Sequence, residues 1–283
     1  KTKYIFLSVW AGVLALTMTS CDSFLNQPPY DDFTDEEYWQ NEDQARTYMY
    51  GFYTSIFSGY GTGTSHGPFL MGQTLNDDFA SDAEQKDLTP LVVPEADGSW
   101  SFSNIRKANY ALASIERIDA TPAVKNHWHG VARFFRACYY SNLVFRYGDV
   151  PWYDRVPRLS DSKEDMDYLY KDRDPRAFVD SCIMADFQYA MDSVRENDGP
   201  QQINRYVVAA MVSRFMLREG TFLKYHNIDT KLAEQCLTMA KDAAEMVMKS
   251  NKYAIAPSYN ALFTSEDLGS NPEIIMHRHY VDG

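Results

Sequence analysis

Two stretches of this 283-residue chain set an aromatic side chain beside short polar ones, and the first of them opens within residues 58–68, too rich in glycine to be anything but loop. Residues 59–81 carry Tyr60, His66, Asn76, Asp77 and Asp78, and residues 97–104 carry Trp100 and Asn104. A sugar offers a protein C–H faces that pack on aromatic rings, and hydroxyl groups that pair with carboxylates and amides. A loop aromatic beside such groups is therefore the pattern that would hold one. On this reading Trp100 is a stacking platform with Tyr60 as a second aromatic, and Asn104, Asp77 and Asp78 pair with hydroxyls. The competing reading of Trp100 is a core anchor at a helix start, since tryptophan is mostly buried.

Other chemistries are less well supplied. Arg133 and Arg136 lie three residues apart, with Asp149 not far beyond. An anion clamp is one reading, and an ion pair fixing the Gly148–Asp149 turn to the helix is the favoured one, because buried guanidinium groups are normally paired. His127 and His129 would fall about 200° apart on a helix, too far round to share a metal. His277 and His279 could share one face of a strand, but no third ligand stands at a defined spacing, so no metal site is assigned. Glycoside hydrolysis needs two carboxyl groups ~5 to ~9.5 Å apart. The adjacent pairs Asp31-Asp32, Glu36-Glu37 and Asp77-Asp78 do not create that geometry and read as caps and solvated faces. There is no G-x-S-x-G, H-E-x-x-H or Walker sequence, so no catalytic residue and no cofactor is assigned.

The elements that must position these residues are helical. Asn41 and Gln44 form an N-x-x-Q variant of the capping box, followed by an apolar stripe at Ala45, Tyr48, Met49, Phe52, Tyr53, Ile56 and Phe57. A second helix spans about 101–118, with Ile105, Ala108, Leu112 and Ile115 inward. A third has Thr121 as N-cap, Pro122 at its first position and Gly148 just past its end. A fourth opens at Asp174-Pro175, a fifth covers 203–219 and stops at Gly220, and a sixth covers 230–250. Residues 273–281 (EIIMHRHYV) read as strand. The fold class expected is mainly α: stacked helix pairs, with 203–219 and 230–250 as a hairpin of tetratricopeptide type.

Two lysines precede an uncharged apolar run that ends at Cys21. This reads as a secretory signal over residues 1–20, with Cys21 at a lipobox position where its thiol would take a lipid; an uncleaved anchor or an ordinary signal peptide are the alternatives. Residues 21–40 then form the lipidated N-terminus and a polar, proline-containing linker, and 41–283 the helical domain. Two or more acyl chains would hold such a domain on a membrane. The formal charge of −12 argues against nucleic acid, whose phosphates need lysine and arginine. An aromatic content of 14% must be used in a core, a binding surface or both. Cys138, Cys182 and Cys236 show no CxxC spacing and read as small buried hydrophobes, with one disulfide among them left open.

Taken in order, these segments resemble the SusD/RagB outer-membrane lipoproteins of Bacteroidetes. The resemblance is carried by Cys21-Asp22-Ser23-Phe24-Leu25, by the helix 41–57, by Trp100, Asn104 and Asn109 in WSFSNIRKANYALASI, and by residues 130–151 (GVARFFRACYYSNLVFRYGDVP), with 204–220 and NPEIIM at 271–276. It implies a tetratricopeptide-based helical fold and a non-catalytic protein at the cell surface or outer membrane. Such a protein would capture a nutrient, usually an oligosaccharide, for a SusC-like TonB-dependent transporter. It also implies a loop-rich C-terminal half that is absent here, so the chain is expected to be an N-terminal portion. The alternatives are a lipid-anchored helical-repeat scaffold for protein partners, or a peptide-capturing member of the same family.

Overall fold

Asn41 starts the first helix as its spacing predicts: its side-chain oxygen accepts from the Gln44 N–H, and the Gln44 side chain accepts from the Asn41 N–H, both at 3.1 Å. The structure is a computed structural model and describes residues 38–57, 98–157 and 162–279. Tyr60, Asp77, Asp78, Cys21 and the whole of 1–20 lie outside the described residues. The chain divides into two units, Lys1–Trp39 and Gln40–Gly283, and nearly all described residues belong to the second.

Helix α1 is Glu42–Ile56, α2 Ser103–Ser114 (continued by a 3-10 turn at Ile115–Arg117), and α3 Pro122–Tyr147. They are followed by α4 Lys163–Leu169, α5 Arg176–Ser193, α6 Arg205–Tyr225, α7 Thr230–Lys249 and α8 Tyr259–Thr264. The six expected helices are present, and the mainly α fold class holds. Helix α3 begins at Thr121, which accepts from the Val124 N–H, and ends at Gly148, whose φ of +73° is the left-handed region that favours glycine. At 26 residues it is about 39 Å long and serves as the central rod, with α1, α2 and α5 packed around it. Among the described residues no helix is long and apolar enough to cross a membrane.

Much of the aromatic content forms one contiguous core. Phe52 of α1 stacks on Phe135 of α3 at 5.1 Å, and Phe135 meets Phe134 at 5.2 Å. Phe134 reaches Phe187 of α5 at 6.4 Å, and Phe187 stacks on Phe215 of α6 at 5.9 Å. Phe52, Phe134, Phe135 and Phe187 are fully buried, so the chain of rings ties four helices together.

The α6–α7 hairpin forms the most extensive helix pairing, and it corrects the expected stop at Gly220. Helix α6 runs through that residue to Tyr225. A Cβ at Gly220 would sit 2.7 Å from Leu237 Cγ and 3.1 Å from the Ala233 carbonyl oxygen, so the glycine serves close helix approach. Helix α5 starts at Arg176 after Pro175, while Asp174 forms an isolated antiparallel bridge with Val150. The expected strand is also corrected: 273–279 are irregular, with no partner strand among the described residues to satisfy a ladder. The short helices α4 and α8 were not expected. Cys138, Cys182 and Cys236 are free thiols, and burial pushes the thiols of Cys138 and Cys236 well up from their ordinary value.

Candidate functional site

A groove of about 530 Å³ lies where the segment leading into α2 meets the last turns of α3. Its walls combine Ser101, Ser103 and Asn104 with Tyr139, Asn142 and Arg146, and the aromatic faces of Phe145 and Tyr147 complete it. Asn104, expected from sequence, lines the groove, and its side-chain amide makes no hydrogen bond among the described residues. Asn142 accepts through its side-chain oxygen from Arg218 of α6 at 3.2 Å, which leaves its amide N–H groups for a ligand. Tyr139 exchanges a hydrogen bond with the Ser55 hydroxyl of α1.

Trp100 stands beside this groove. Its ring is 38% exposed, which does not fit a core anchor. It meets Tyr147 edge-on at 4.9 Å and Phe102 edge-on at 5.4 Å, and the Arg173 guanidinium lies over it at 4.8 Å. Trp100 is thus an exposed ring beside the groove, with a cation over it that sequence reasoning missed. Tyr60, Asp77 and Asp78 fall outside the described residues. Tyr139, Asn142 and Arg146 were missed as well, although their spacing of i, i+3 and i+7 on a helix signals a shared face.

A buried polar network holds the groove's flank. Arg136 of α3 donates to Asp186 of α5 through two hydrogen bonds of 2.7 and 2.8 Å, to Asn109 Oδ1 of α2 at 2.7 Å and to the Asp154 carbonyl at 3.2 Å. Asn109 in turn donates to the carbonyls of Tyr153 and Arg155. The Tyr140 hydroxyl accepts from the Tyr153 N–H at 2.6 Å, and the Tyr153 ring packs edge-on against Phe102 at 5.6 Å. The path from Arg136 to Trp100 therefore runs through the turn at 150–155. Arg136 is a structural ion-pair residue as favoured, but its partner is Asp186, and Arg133 lies 3.7 Å from the same carboxylate. Asp149 instead accepts from the Arg176 N–H at 2.8 Å.

Two further charged clusters stabilise the scaffold. Glu42 and Arg46 of α1 meet Arg195 and Asp198 of the α5–α6 loop, where Arg46 reaches Asp198 at 2.5 Å and Arg195 reaches Glu42 at 2.6 Å. Burial would raise the Asp198 carboxyl, but His127, 3.5 Å away, and the Arg46 guanidinium outweigh it and hold the group below the usual range. His127 also accepts from the Arg195 N–H, whereas His129 pairs with Glu116, so the two histidines serve different partners. In the second cluster Arg176 donates to both oxygens of Glu219 at 2.7 and 2.8 Å, with Asp180 at 3.8 Å. Burial and the neighbouring Glu219 charge push the Asp180 carboxyl up to about 8, against the opposing pull of Arg176. His277 and His279 have ring centroids 6.4 Å apart in an irregular segment.

The architecture is a helical-pair scaffold presenting an aromatic and polar groove. No protein-family model matches the chain. Among curated proteins it is similar to SusD-like protein P38 of Formosa agariphila, 23% identical over 209 residues, which cover 67% of this chain and 40% of that protein. Among solved structures it is similar to a SusD-like protein of Bacteroides fragilis, with a TM-score of 0.59, 19% identity and coverage of 90% of this chain and 48% of that one. A SusD-like carbohydrate-binding protein of the same organism matches with a TM-score of 0.60, 18% identity and coverage of 86% and 47%. The chain spans about half the length of these relatives, or less. The described helices have the SusD-like fold, and the resemblance to the SusD/RagB family read from the sequence is borne out.

Proposed function

We propose that this protein is a non-catalytic oligosaccharide-binding protein, held on the outer membrane by a lipid on Cys21, that passes its ligand to a SusC-like TonB-dependent transporter. The observation that carries the binding reading is the groove itself: the Asn104 amide and the Asn142 amide N–H groups, unpaired among the described residues, lie beside the half-exposed Trp100, on a SusD-like fold. Its aromatic rings suit C–H faces and its amides and hydroxyls suit sugar hydroxyls, while among its described lining residues none pairs a nucleophile with a base. The anchor and the transporter rest on the sequence at 1–25 and on the family resemblance.

Calorimetric titration with a panel of neutral oligosaccharides tests the binding. Trp100→Ala and Asn104→Ala are each expected to weaken the preferred ligand by about tenfold, with the oligosaccharide recovered uncleaved. A folded protein that binds no oligosaccharide, or binding that both variants leave intact, removes the reading. Palmitate labelling that disappears in Cys21→Ala tests the anchor, and co-purification with a large β-barrel tests the partner.

A further inference from the structure

A second cleft, of about 480 Å³, opens on another part of the molecule, between the end of α1, the middle of α6 and the segment after α8. Tyr53 and Phe57 line it with aromatic surface. Arg214 lines it from α6, exposed and without a carboxylate partner among the described residues, and Arg278, His277 and His279 line it from the C-terminal segment. Among the described residues no acidic side chain lines it, while Glu266 and Glu273 line the neighbouring cleft on the other side of His277, Arg278 and His279. Gln201 also lines the cleft, with its side-chain amide 3.4 Å from His277 Nε2. Its φ of +58° is the left-handed region, which a non-glycine residue keeps only where the surrounding structure imposes it.

Aromatic walls with two guanidinium groups and two imidazole rings suit a ligand with an apolar ring face and a planar anion. Guanidinium groups recognise carboxylates by paired, charge-assisted hydrogen bonds. We propose that this cleft is a second binding site, taking the carboxylate of a uronic acid residue in an acidic oligosaccharide, with the sugar ring against Tyr53 or Phe57. The saccharide part of this proposal rests on the glycan reading above, and the anion part stands on the cleft alone.

The test titrates the chain with trigalacturonate and with neutral galactotriose, in the wild type, Arg214→Gln, Arg278→Gln and Trp100→Ala. Trigalacturonate binding is expected to fall about tenfold or more in each arginine variant, to weaken with added salt and to persist in Trp100→Ala. Far-UV circular dichroism and melting temperature serve as the folding check, and the exposure of Arg214 makes that variant a fair test. Trigalacturonate binding that is unchanged in Arg214→Gln and Arg278→Gln overturns the proposal. So does neutral binding through the Trp100 groove with no trigalacturonate binding, a result that leaves the glycan reading standing. If neither trimer nor any panel oligosaccharide binds, both fall.

Discussion

Replacing Arg136 by methionine removes the one cation that fully engages Asp186, whose side chain is only 3% exposed. The two hydrogen bonds to Asp186 are lost, Asn109 Oδ1 and the Asp154 carbonyl lose a donor, and Arg133 remains 3.7 Å from Asp186. Removing one partner of a buried pair typically costs about 3–5 kcal/mol, because the remaining charge is left in a poor solvent. The value here should lie toward the lower end, since Arg133 can move closer. Urea denaturation followed by far-UV circular dichroism measures it as the change in midpoint multiplied by the slope. The double variant Arg136→Met/Asp186→Leu should recover a large part of the loss, because no unpaired charge stays inside. A single variant that costs less than ~1 kcal/mol, or a double variant less stable than the single one, refutes the account of this network.

The Asp180 carboxyl, raised to about 8, keeps its proton in the folded chain while the unfolded chain releases it near 3.8. Its contribution to stability is therefore complete below about pH 4 and is lost as pH rises through 8, at up to about 1.4 kcal/mol per pH unit. Asp180→Asn should flatten that slope between about pH 4 and 8, and parallel melting-temperature profiles for the two proteins would contradict it. Gly220→Ala places a methyl 2.7 Å from Leu237 and should destabilise by about 1–3 kcal/mol. Gly51→Ala, in open space on α1, should stabilise by up to ~1 kcal/mol; equal effects at the two glycines would remove the close-approach argument.

The residues that were legible in sequence are those whose partners lie within one helical turn. The Asn41–Gln44 cap and the Thr121 and Gly148 ends of α3 depend on neighbours three or four positions away, so their spacing alone specifies them. Gly220 shows the limit. A glycine that ends a helix and one that admits a neighbouring helix look alike until Leu237 is placed against it. The same holds for Arg136, whose nearer acid in sequence, Asp149, lost to Asp186 fifty residues away, because α3 and α5 pack side by side. Residues 273–281 read as strand from their residue types, but a strand needs an edge to pair with, and residue types are silent about that. Of the candidate site, Trp100 and Asn104 were visible as loop chemistry. Asn142 and Arg146 lie on α3, and only tertiary packing brings them to the same groove.

On the glycan reading, the position of Arg173 decides how the groove selects a ligand. The bridge between Val150 and Asp174 fixes the segment before α5, which places the Arg173 guanidinium over Trp100 at 4.8 Å. A cation on an exposed aromatic face contributes about 0.5–1 kcal/mol, close to what a favourable ring contact adds beyond the area it buries. A neutral sugar stacking on that face keeps what it gains from the area it buries, but its ring contact beyond that area is offset, because it displaces an interaction of similar strength. Discrimination must then come from groups that are unpaired before the ligand arrives, and those are the Asn104 amide and the Asn142 amide N–H groups. A site built to hydrogen-bond hydroxyls penalises a ligand that lacks them, since its own polar groups would be left desolvated and unpaired. Trp100 therefore sets where the sugar ring lies, while the two asparagines set which pattern of hydroxyls is accepted.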